Sequence, residues 1–152
     1  MKKALLILSL SLLSMVSFAQ EIKWMTMDEA LEAQKKEAKP IFMDVYTDWC
    51  GPCKMLDKNT FNDPAVVEFI SKNYYAVKFN AEGNEVINHK GIKYTNPGFD
   101  EAKKGRNSMH DFTKFLKVRG YPTMLIFDES GAVSRDLVGY RTAEQLLSEL
   151  IS

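Results

Sequence analysis

Residues 49–54 read WCGPCK, and Cys50 and Cys53 within them are the only cysteines of the chain. Three readings compete: a structural staple, a metal site, or a pair that passes electrons. A disulfide this local closes a very small loop, and constraint on the unfolded chain grows with loop length, so a staple here stabilises weakly. A structural zinc site takes four ligands. His89 and His110 are the only histidines, and neither stands at metal-ligand spacing to the pair, so no metal is expected. The redox reading needs a CxxC between a strand and a helix. Both flanks answer that need.

Upstream, Ile41 to Thr47 (IFMDVYT) is mostly apolar and rich in β-formers, as a buried strand is. Pro40 ends whatever precedes it. Downstream, Lys54 to Asn59 continues a helix begun near Cys50. A thiolate at the start of a helix faces the positive end of the peptide dipoles and is favoured there. The thiolate is the attacking species in disulfide exchange. With two residues between them, Cys53 reaches Cys50 across one helical turn, so a mixed disulfide on Cys50 can be resolved by Cys53.

Around this centre the chain reads as one domain. Thr26-Met27-Asp28-Glu29 is a capping box that opens a helix running to about Ala38. Asp63-Pro64 starts another, with Asp63 as N-cap and Pro64 in the first helical position. Tyr75 to Asn80 alternates as a strand, and the spacing of Phe112, Phe115 and Leu116 predicts a helix over Ser108 to Val118. Thr123 to Phe127 reads as a core strand. Ser130-Gly131 turns the chain into a second strand, Ala132 to Val138, which makes a hairpin. Thr142 to Gln145 is a second capping box, opening a helix that ends near Ile151. Glu21 to Met25 is a candidate edge strand. The alternation predicts an α/β domain with parallel pairing early and an antiparallel edge late. Glu82 to Asn107 breaks the rhythm. It holds Gly83, Gly91, Pro97, Gly98 and Gly105 with little periodicity, and a small hairpin around His89-Lys90-Gly91 is the expected order within it.

The first nineteen residues form a separate unit. Lys2 and Lys3 precede an apolar run, Ala4 to Val16, and Ser17-Phe18-Ala19 supplies small residues for cleavage. This is the pattern of a secretory signal peptide, residues 1–19, ahead of a domain spanning 20–152. Export points to an oxidising compartment, the periplasm of a bacterium, where a disulfide persists. Lys+Arg and Asp+Glu each number 20, so no polyelectrolyte signal marks nucleic acid as a partner.

Taken together, the motifs resemble the thioredoxin superfamily from about Lys39 onward. IFMDVYTDWCGPCK resembles the strand and active site, and YAVKFNAE the following strand. VRGYPTMLIF resembles the segment with the family's cis-proline, and ESGAVSRDLVGY the final strand pair. Phe61-Asn62-Asp63-Pro64 further resembles the exported C-terminal modules of thiol:disulfide interchange proteins.

The resemblance implies a thioredoxin fold: a central mixed β-sheet flanked by helices, here with an extended loop before the cis-proline segment. It implies a thiol:disulfide oxidoreductase that reduces protein disulfides through Cys50 and Cys53. No bound organic cofactor is needed, and a membrane thiol-electron donor of the interchange type restores the dithiol. Asp44 is placed beneath the disulfide to take the proton of Cys53, with Lys78 beside it. Trp49 forms an apolar lip, and Gly51 and Pro52 tune the potential. Tyr121 offers backbone to the substrate ahead of a cis Pro122. A thiol oxidase or isomerase, and a peptide-binding module or holdase, stand as alternatives. The long loop is expected to serve specificity. Its basic run Lys103-Lys104-Gly105-Arg106 is expected to be solvated, and His89 and His110 are expected at the surface.

Overall fold

The computed structural model describes residues 20–152, so the expected signal segment lies outside the described residues. Among the described residues, the chain forms α1 (Met27–Lys36), β1 (Ile41–Tyr46), α2 (Gly51–Met55) and α3 (Pro64–Asn73). It continues as β2 (Tyr75–Asn80), β3 (Ile87–His89), β4 (Ile92–Tyr94) and α4 (Asp111–Phe115). The last elements are β5 (Thr123–Phe127), β6 (Val133–Val138) and α5 (Ala143–Ile151). Both capping boxes form: Glu29 N–H donates to Thr26 Oγ1 at 3.2 Å, and Gln145 N–H to Thr142 Oγ1 at 3.2 Å. Asp63 accepts from the backbone of Ala65 and Val66 and caps α3, with Pro64 at its first position.

The main sheet runs β2-β1-β5-β6, with β1 and β2 parallel and the other pairs antiparallel. This is the mixed sheet flanked by helices that the resemblance implies. β1 is central, and its apolar run is buried on both faces. Alternation then sorts its side chains. Phe42 joins Ala76, Met124 and Ile126 against α3 and α5, while Ile41, Met43 and Val45 join Val77, Phe79 and Phe127 against α1 and α4. Asp44 has the parity of Phe42, as Lys78 has that of Ala76, and the register sets Asp44 directly opposite Lys78. The β1 to β2 pairing thus brings an acid and a base together inside the sheet.

Several boundaries differ from expectation. The helix after Cys50 is α-helical only to Met55 and then widens into a π-helical turn, Leu56–Thr60, where Phe61 N–H donates to Leu56 C=O. Glu21 to Met25 forms no strand. Met25 alone makes a parallel bridge to Val77, beyond the β2 edge. α4 is half the length that its apolar spacing predicts. Its upstream backbone is already committed: Ser108 C=O accepts from Asn96 Nδ2, and His110 N–H donates to Ala81 C=O. Downstream, Lys117 sits at φ 54°, which ends the helix.

Both histidines are buried, contrary to the surface placement expected for them. His110 caps α4, its Nδ1 accepting from Phe112 N–H at 3.0 Å and its Nε2–H donating to Glu85 C=O at 2.6 Å. His89 donates from Nε2 to Gly131 C=O at 2.7 Å and packs against the rings of Phe112, Phe115 and Phe127. A hydrogen-bonded imidazole is a good filler for an aromatic pocket, and composition does not distinguish it from a solvated one.

The expected hairpin around Lys90-Gly91 is β3–β4. Its Ile87 and Tyr94 belong to the core beneath α1, so the long insertion folds as part of the domain. His110→Ala removes a helix cap and strands a buried carbonyl, and is expected to cost about 2–4 kcal/mol in urea unfolding. Lys103→Ala, at an exposed position of the same insertion, is expected to change stability by less than about 0.5 kcal/mol.

Candidate active site

Cys50 occupies the N-cap of α2, where its extended backbone turns the chain from β1 into the helix. It is joined to Cys53 by a disulfide, with the Cα atoms 5.3 Å apart. Cys50 Sγ accepts a hydrogen bond from the backbone N–H of Cys53 at 3.2 Å. That donor would also stabilise a thiolate once the pair is reduced. Gly51 and Pro52 are exposed above the pair. Cys50 lines a surface groove together with Trp49, Gly51, Pro52 and Tyr121, and Cys53 lies behind it.

The Tyr121–Pro122 peptide bond is cis, and Pro122 is buried. Pro122 C=O accepts from Gly139 N–H at 2.8 Å, which fixes this segment to the end of β6. The Tyr121 ring stands edge-on to Trp49, with centroids 5.8 Å apart. Trp49 is half-buried, and its Nε1–H donates to Glu82 Oε2 at 2.9 Å. The same carboxylate oxygen accepts from Asn107 N–H at 2.8 Å, so Glu82 joins the indole to the far end of the insertion. The guanidinium of Arg106 lies 4.1 Å from the centre of the Trp49 ring. The basic run is exposed, as expected, and one member of it also has a neighbour. Lys103, Lys104 and Arg106 are all exposed, and Arg106 in addition lies over the Trp49 ring at the lip of the groove.

Asp44 is fully buried. Lys78 Nζ donates to its Oδ2 at 2.7 Å, while Oδ1 has no hydrogen-bond partner among the described residues. Burial pushes the carboxyl up to about 6, and the opposing charge of Lys78 recovers only part of that cost. Burial works to lower Lys78, but the carboxylates of Asp44 and Asp57 outweigh it and raise the ammonium above its ordinary value. Asp57, from the π-helical turn, is the second acid on Lys78. Three rings, Trp24, Tyr46 and Phe61, lie 5.0 to 5.3 Å from the same ammonium.

Of the site residues expected from the sequence, Trp49, Cys50, Gly51, Pro52 and Tyr121 line the groove, Cys53 and Pro122 are buried next in sequence to it, and Asp44 and Lys78 form the pair in β1 and β2. Sequence reasoning names no role for Asp57, Glu82 or Arg119, and names Arg106 only as part of a solvated run. Asp57 had a faint signal, being one helical turn beyond Cys53. Glu82, Arg106 and Arg119 had none, since only the folded chain brings the first two to Trp49 and the segment before the cis-proline lines the groove with the third. Among the described residues no group of three or more His, Cys, Asp or Glu side chains could hold a metal ion, and no helix is long and apolar enough to cross a membrane.

A thioredoxin-like domain family model matches residues 27–151, and the chain belongs to that family. It is 28% identical over 120 residues to a thiol:disulfide interchange protein, DsbD, of Pectobacterium atrosepticum, covering 78% of this chain and 17% of that protein. It is 33% identical over 109 residues to DsbD of Salmonella paratyphi A, covering 70% and 15%. The chain thus spans about a sixth of the length of the curated relatives it matches. Among solved structures, a candidate disulphide-isomerase from Bacteroides thetaiotaomicron aligns with TM-score 0.61 and 29% identity over 88% of this chain and 93% of that one. A thioredoxin from Thermus thermophilus aligns with TM-score 0.62 and 16% identity over 86% and 85%, a likeness of fold. Within that thioredoxin-like domain, Cys50 and Cys53 are the disulfide-bonded cysteine pair.

The raised carboxyl carries a sign for stability. Folded Asp44 keeps its proton up to about 6, against an ordinary value of 3.8. Between those values the folded state binds more protons, so Asp44 favours folding most below the lower value and progressively less as pH rises through the upper one. At neutral pH the buried charge costs on the order of 3 kcal/mol. Asp44→Asn is expected to be more stable than the parent near about pH 7.5 and to lose that advantage near about pH 4. Urea unfolding of both oxidised proteins at the two pH values checks this.

Proposed function

We propose that this protein is an exported thiol:disulfide oxidoreductase that works as a reductase on disulfides of other proteins. The observation that carries the reading is the placement of Cys50: at a helix N-cap, on an open groove, with Cys53 one turn behind it. In the reduced protein the Cys50 thiolate attacks one sulfur of the substrate disulfide. A Cys50–substrate bond forms, the substrate S–S bond breaks, and the departing sulfur takes up a proton. Cys53 then attacks Cys50 and loses its own proton. The second substrate sulfur leaves as a thiol, and Cys50–Cys53 is left as the disulfide. Two electrons have passed to the substrate, and no bound organic cofactor takes part.

Asp44 is the proposed acceptor of the Cys53 proton. A carboxyl with a value of about 6 is ionised at neutral pH and still basic enough to take a proton. Lys78 is its positioning partner, holding Oδ2 and leaving Oδ1 free. Trp49, Gly51, Pro52, Tyr121 and Pro122 form the surface on which the substrate rests. A membrane thiol-electron donor of the interchange type is the proposed source of reducing equivalents, and the likeness to DsbD supports it. Residues 1–19 are the proposed export signal, residues 20–152 the working domain, and the periplasm its compartment.

The direction of transfer is testable. The Cys50–Cys53 potential is expected near that of thioredoxin, about −270 mV, and a value near that of a strong oxidant, about −120 mV, overturns the reductase reading. Cys53→Ala is expected to accumulate a mixed disulfide on Cys50, separable on a non-reducing gel, whereas Cys50→Ser accumulates none. Turnover is expected to rise with pH through about 6 as Asp44 ionises. Asp44→Asn is expected to lack that limb and to turn over roughly 10- to 100-fold more slowly. An unchanged pH profile in that variant removes Asp44 from the proton path.

A further inference from the structure

We infer that the groove beside Cys50 selects protein disulfides flanked by an acidic residue, through the guanidinium groups of Arg106 and Arg119. This rests on the exchange chemistry proposed above and adds the class of substrate. The groove encloses about 510 Å³. Its apolar wall is Trp49, Tyr121 and the exposed Met109, and Cys50 lies at its edge. The two arginines come from different segments. Arg106 belongs to the insertion, and Arg119 to the stretch that leads into the cis-proline.

Neither arginine is in an ion pair among the described residues; the five ion pairs present involve other side chains. Arg106 is nevertheless held in place. It stacks on the indole face at 4.1 Å, and it follows Gly105, whose φ of 100° folds the chain back toward Trp49 at a cost few other residues could bear. The stacked guanidinium keeps its N–H edge for a carboxylate. Glu82 is the one acid that lines the groove among the described residues. Its Oε2 is already engaged by Trp49 Nε1–H and Asn107 N–H. Two cations against one engaged anion leave the groove positive, beside an apolar floor. An extended peptide that brings a disulfide to Cys50 and carries Glu or Asp next to the cysteine fits that surface. A neutral neighbour gains nothing there, and a lysine is repelled.

Three disulfide peptides that differ only in a Glu, Gln or Lys beside the cysteine test this against the reduced full-length protein, by stopped-flow indole fluorescence. The expected order of second-order rate constants is Glu, then Gln, then Lys, with a Glu-to-Lys ratio of roughly 10 at low ionic strength that shrinks toward 1 at high salt. Arg106→Ala with Arg119→Ala is expected to bring the ratio near 1, and Arg106→Glu with Arg119→Glu to invert it. Equal rates for the three peptides, or a ratio indifferent to salt, overturn the selectivity without needing any variant to fold. Reduction of glutathione disulfide as fast as the Glu peptide overturns the assignment to peptides. If no peptide exchanges at all, the exchange chemistry itself falls, and this inference with it.

Discussion

A carboxylate buried in the middle of a central strand is the constraint from which the rest of this structure follows. β1 must lie between two apolar layers to be stable, and Asp44 stands among its inward-facing residues. An isolated charge there is prohibitive, so a partner must be supplied at a fixed distance. The parallel pairing of β1 with β2 supplies it by placing Lys78 opposite. Lys78 in turn must be sheltered, and Trp24, Tyr46, Phe61 and Asp57 surround it. The π-helical turn after α2 is where Asp57 enters that shell. Sheet register, the departure from α-helix and an aromatic cluster thus meet at one ionisable group.

That group has the proton affinity that its proposed role as a proton acceptor needs. A carboxyl of ordinary acidity would be a poor acceptor, and one with no cationic partner would stay protonated at neutral pH. Burial and Lys78 pull in opposite directions, and the balance of about 6 lies between. The cost in stability and the proposed gain in chemistry are one free energy seen from two sides.

Most of the fold was legible in the sequence because the decisive signals are local. Thr26 and Thr142 cap helices through contacts three residues away, and Asp63-Pro64 starts a helix on its own. The buried acid announced itself as the single charged residue in IFMDVYT. What could not be read was set by contacts between distant segments. Ser108 to His110 carries apolar spacing suited to a helix, but its backbone is claimed by Asn96 and Ala81. His89 and His110 look like surface residues until the aromatic pocket and the α4 end that receive them are assembled. Arg106 reads as part of a charged run, and only the closure of the insertion over Trp49 gives it a place in the groove.

The side chain of Asn96 donates to Gly83 C=O at 2.9 Å and to Ser108 C=O at 2.7 Å, so one amide bridges the start and the finish of the insertion. Just outside, Ala81 and His110 are hydrogen-bonded through their backbones. The excursion leaves and rejoins the scaffold through a single doorway. Its exposed stretch, residues 100–106, can therefore vary in length without moving the strands, since closing a longer or shorter loop between adjacent ends changes the free energy only slowly, whereas Ile87 and Tyr94 are fixed in the core. A chain built this way can alter that outer stretch, and with it the Arg106 side of the groove, while Cys50–Cys53 and the Asp44–Lys78 pair keep their positions.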